Sequence, residues 1–95
     1  TIDPERESEF TREVRKIIPV VRGEAGCIRY EFFSDAFLPG IFHFIEVWES
    51  QEHLDDHLAR HHMQEYFKKT AVCHSSPAEL ALYEVFSSRS MTMNG

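Results

Sequence analysis

The chain has 95 residues, 42% of them hydrophobic and 13% aromatic, with eight Phe and a formal net charge of −6. This length makes one domain whose core needs neither disulfide nor metal, and the composition excludes intrinsic disorder. Scattered Lys and Arg in an acidic chain argue against a nucleic-acid partner, and no apolar run approaches the ~20 residues of a membrane span, so a soluble, cytoplasmic protein is expected.

Asp3-Pro4-Glu5 reads as a helix start, with a capping carboxylate, a proline suited to the first turn, and acids at the positive end of the dipole. Phe10, Val14, Ile17, Ile18 and Val21 then recur at helical spacing, the stripe of a helix lying on a sheet. Pro19 removes a backbone donor, so the helix should bend or tighten there and stop before Gly23. Cys27 to Ser34 alternates as a strand with Ile28, Tyr30 and Phe32 on one face. Pro39-Gly40 signals a turn, and Ile41 to Glu49 reads as a second strand, antiparallel to the first. Phe42, Phe44, Glu46 and Trp48 share one face of it, and Ile41, His43, Ile45 and Val47 the other. A sheet apolar on both sides needs two covers, one of helices and one from elsewhere, such as a second subunit.

Ser50 can cap a helix whose Leu54, His57, Leu58 and His61 share a stripe. Met63, Tyr66 and Phe67 fall off that stripe at 100° per residue, so a break near His61-His62 is expected. A second short helix should follow, with Met63, Tyr66, Phe67 and Ala71 inward. A last strand is expected over 81–87 and a polar tail over 88–95. Cys27 and Cys73 lie far apart without a C-x-x-C pattern and are expected to be free thiols.

The order helix, strand, strand, helices, strand resembles a ferredoxin-like α+β domain lacking its first strand, of which Thr1-Ile2 is only a stub. Glu24-Ala-Gly26-Cys27-Ile-Arg-Tyr30, then Phe42 to Glu46 with Trp48, then His57 with His62 five residues on, then Phe67, are similar to the antibiotic biosynthesis monooxygenase family. The resemblance covers roughly residues 3 to 87, so residues 1–87 are read as a single such domain. It implies a homodimeric α/β barrel with an antiparallel sheet and helices on one face, and a pocket between each sheet and its own helices. It also assigns the Phe42, Phe44, Glu46 and Trp48 face to that pocket. In relatives that degrade haem or oxidise polyketides, a polar residue on the first strand helps position the substrate, and nothing here matches it.

What the resemblance implies chemically is a cofactor-independent monooxygenase in which a dry aromatic pocket binds a small electron-rich aromatic or quinol that itself reduces O₂. Trp48, His57 and His62 are the candidate catalytic residues. The indole offers an apolar wall with one N–H, and a neutral imidazole can take a phenolic proton. Phe42, Phe44, Glu46, Tyr66 and Phe67 are the candidate pocket. Aromatic residues at such positions often only pack, and Glu46 on an aromatic face needs a partner, Arg29 or a histidine. His53, His57 and His61 follow at i, i+4 and i+8, a spacing open to zinc, copper or nickel. No cysteine accompanies them and Asp56 lies on another face, so no metal is expected. Haem is not the expected cofactor either. The competing reading is a non-catalytic dimeric ligand-binding or accessory protein on the same fold.

Overall fold

The computed structural model describes residues 1–78 and 89–93. Asp3 accepts a hydrogen bond from the Glu5 amide and opens a 3-10 turn over Pro4–Arg6, which runs into helix α1, Glu7–Arg22. α1 continues through Pro19 and ends at Gly23, burying Phe10, Val14, Ile17 and Val21 with Ile18 partly covered. This is the stripe its spacing predicts.

Strands β1, Cys27–Ser34, and β2, Phe42–Trp48, form the antiparallel hairpin. The Asp35 side chain organises the corner by accepting from the Phe37 and Leu38 amides. Gly40 turns the chain at φ 76°, where an added Cβ would press against the Ile2 carbonyl. One expectation is corrected in β1. Cys27 pairs with Trp48 but Arg29 pairs with Val47, so Ile28 is the extra residue of a bulge. It is 58% exposed instead of lying beside Tyr30 and Phe32. Downstream of the bulge, Tyr30 and Phe32 face the helices with Phe44 and Phe42, in a run of aromatic contacts that reaches Phe10 of α1.

Helices α2, Gln51–Ala59, and α3, His61–Ala71, are separated at Arg60, whose ψ of 145° is extended. The break thus comes one residue before the expected place. Ser50 caps α2 by accepting from the His53 amide. α3 buries Met63, Tyr66 and Thr70, not Phe67 and Ala71. Thr70 takes the inward place because its hydroxyl donates to the Tyr66 carbonyl at 2.8 Å, leaving no unpaired polar atom inside.

The domain is ferredoxin-like α+β, with α1 packed on β1, α2 against β2, and α3 against α1 and α2. Ile2 is buried, its N–H donates to the Gly40 carbonyl, and it bridges His74. Thr1-Ile2 therefore lies between Gly40, just before β2, and the segment after α3, joined to the latter by an isolated bridge. Cys27 and Cys73 are free. The strand expected over 81–87 lies outside the described residues, and residues 89–93 are exposed without regular structure. No helix among the described residues is long and apolar enough to cross a membrane.

Candidate functional site

The site is built on Glu24, in the short link between α1 and β1. Its side chain is only 4% exposed, and three residues converge on it. His57 Nδ1 lies 3.0 Å from Oε2 and 3.2 Å from Oε1. Arg60 Nε donates to Oε1 at 3.0 Å, and His62 Nε2 is 2.9 Å from Oε2. The helix break makes this possible. His57 comes from the last turn of α2, Arg60 from the extended joint and His62 from the first turn of α3, so a change of direction turns all three toward one carboxylate.

Burial by itself would raise the Glu24 carboxyl. The hydrogen bonds and charges of His57 and His62 outweigh that and hold its pKa below the ordinary value. The link is shaped by Gly26, at φ 81°, whose missing side chain leaves room for the His53 ring. Its carbonyl accepts from the Glu49 amide, tying the link to the end of β2.

His57 is 1% exposed and is the one residue α2 buries fully. Its ring lies 4.6 Å from the Trp48 ring, centroid to centroid, and 5.6 Å edge-on from Tyr30. Its Nε2 is directed toward Glu46 Oε1 at 3.7 Å, beyond hydrogen-bonding distance. Trp48 Nε1 donates to that same Oε1 at 3.1 Å. The result is a continuous row, Glu24, His57, Glu46 and Trp48, running from the α1–β1 link to the inner face of β2. Burial and the nearby Glu46 charge push the Tyr30 phenol well up, so it stays neutral.

The structure brings Trp48, His57 and His62 together, with Glu46 between the first two. Glu46 finds its partners in Trp48 and His57, while Arg29 pairs with Glu31. Phe44 stands next to the row through Tyr30, whereas Phe42 lies farther along the sheet against Phe10 and Phe32. Tyr66 belongs to the core, and Phe67 is 42% exposed on α3, leaning on Tyr66. The histidine row does not converge. His53 Nδ1 sits on Ser50 Oγ, His57 turns to Glu24, and His61 lies beyond the break. Among the described residues no three His, Cys, Asp or Glu side chains gather as a metal shell.

Sequence reasoning missed Glu24 as a site residue. The available signal was an acid two residues before a glycine, in a link too short to be solvated on all sides.

The model of the antibiotic biosynthesis monooxygenase family matches residues 1–69. A crystal structure named as an antibiotic biosynthesis monooxygenase is 27% identical, with a TM-score of 0.84 and 90% of each chain covered. A conserved protein from Methanosarcina mazei Go1 is 28% identical, with a TM-score of 0.79 over 82% of this chain and 77% of that one. A Deinococcus radiodurans structure, 20% identical, shares the fold at a TM-score of 0.88 over 97% of this chain and 91% of its own. An uncharacterized protein of Synechocystis is 31% identical over 84 residues, 88% of this chain. The chain spans 57% of that relative's length.

Proposed function

The chain belongs to the antibiotic biosynthesis monooxygenase family, and from that premise we propose that it is a cofactor-independent monooxygenase of small electron-rich aromatic or quinol substrates, working in the cytoplasm as a homodimer. The observation that carries the reading is His57, buried against the Trp48 ring with a carboxylate beyond each ring nitrogen.

On this reading His57 takes the acidic proton of the substrate, and the indole and Tyr30 wall the anion off from water. The anion supplies electrons to O₂. One oxygen atom enters the product as a new carbonyl, and the other leaves as water with two substrate hydrogens. Molecular oxygen is thus the co-substrate. Access to the His57 ring requires α2 to draw back from β2.

The homodimer is supported by the outer face of the hairpin, where Phe33, Ile45 and Val47 stand exposed with Ile28 beside them. A second copy presenting the same face would cover it. The closed state of the row favours a second reading, a non-catalytic dimeric binding or accessory protein.

Oxygen uptake with a panel of naphthols, anthrones and quinols separates the two readings. The oxygenase reading expects uptake that falls about 100-fold or more in His57→Ala. Uptake no higher than that of a Trp48→Phe, His57→Ala double variant would sink it. Micromolar binding of a panel compound without conversion would establish the accessory reading instead.

A further inference from the structure

We propose that Glu24 is the positioning residue of the site: it holds the proton of neutral His57 on Nδ1 and so leaves Nε2 as the lone pair facing Glu46 and Trp48. Free imidazole side chains carry their proton on either nitrogen, and the partner of one nitrogen fixes the role of the other. Two carboxylates compete for this ring. Glu24 stands 3.0 Å from Nδ1, a hydrogen bond, and Glu46 stands 3.7 Å from Nε2, which is not one. Glu46 Oε1 is moreover already engaged by the Trp48 N–H. The proton therefore belongs on Nδ1.

The consequence rests on the oxygenase reading. A base must present its lone pair toward the substrate, and Nε2 is the nitrogen on the β2 side of the ring. When Nε2 takes a proton, Nδ1–H remains on Glu24 and the new N–H points toward Glu46, so the positive ring lies between two carboxylates. Arg60 and His62 keep Glu24 itself in place, each reaching partly into solvent at 43% and 32% side-chain exposure.

The test is long-range proton–nitrogen correlation NMR on uniformly ¹⁵N-labelled protein at alkaline pH, which reads the tautomer without any turnover. In the wild type the expected result is a protonated Nδ1 and an unprotonated Nε2. The opposite assignment would overturn the proposal. In Glu24→Leu, which keeps side-chain bulk, the proton should move to Nε2 and toward Glu46. Persistence of the wild-type tautomer in a folded Glu24→Leu protein would also overturn it. Should that variant not fold, the wild-type measurement decides alone. Arg60→Gln should leave the tautomer unchanged, and a tautomer that flips in Arg60→Gln would assign the control to Arg60 instead. A protein with the expected tautomer but no oxygen uptake would leave the positioning intact and remove the oxygenase reading.

Discussion

At Glu24 two opposing effects meet, desolvation that favours the protonated acid and imidazole partners that favour the carboxylate, and the partners win. A carboxyl whose folded pKa lies below its ordinary 4.5 adds stability that is complete above that value and disappears as pH falls through the lower folded one. Urea unfolding followed from neutral pH downward should therefore show wild-type stability dropping below pH 4.5 more steeply than that of Glu24→Gln. The comparison removes the contributions of Glu13, Glu31 and Asp35, which are lowered in the same direction. Equal slopes for the two proteins would contradict the assignment. Trp48, His57 and His62 were singled out because each stands at a position the family resemblance marks, and the structure sets His57 between the Trp48 ring and the carboxylate that His62 also reaches. Glu24 opens the first segment of the same resemblance but was given no role, because a link residue has no periodicity and its partners become visible only once the chain bends at Arg60.

Helical phase located the break between α2 and α3 to within one residue, because Met63 and Tyr66 cannot share a stripe with Leu54 and His57. It did not foresee which face of α3 would win. Thr70 displaced Phe67 through a bond to its own backbone, a satisfaction that hydrophobicity does not register. The β1 bulge escaped notice for a similar reason. Alternation continues on both sides of Ile28, and only the register with β2 reveals the extra residue. Helix α1, by contrast, stops before Gly23 as its sequence suggests, and it runs through Pro19, which lies on the exposed side near the helix end. Replacing it should restore a backbone donor to the Arg15 carbonyl. Pro19→Ala is expected to stabilise the protein by about 1–3 kcal/mol, the helix-interior penalty of proline less its unfolded-state benefit. Thermal unfolding would show this as a higher Tm, and an unchanged or lower Tm would mean that α1 is already adapted to the proline.

For the molecule as a whole, the hairpin has one face under α1 and α2 and the other open, where Phe33, Ile45 and Val47 stand beside the Arg29–Glu31 pair, as the alternation of the second strand predicts. The proposed docking of a second copy on the open face would cover Ile45 and Val47, which no element among the described residues covers. A charge placed there should separate the copies while leaving the inner core untouched. Ile45→Lys is expected to sediment as a monomer at micromolar concentration with unchanged helical circular dichroism, where the wild type sediments as a dimer. A monomeric wild type would refute the proposed assembly. The central claim, however, is chemical, and labelled oxygen tests it most directly. With a panel compound that the protein converts under ¹⁸O₂, the account predicts product carrying one ¹⁸O atom per molecule and the second recovered in water, with both lost in His57→Ala. Product whose new oxygen comes from solvent, or formation undiminished in His57→Ala, would contradict it.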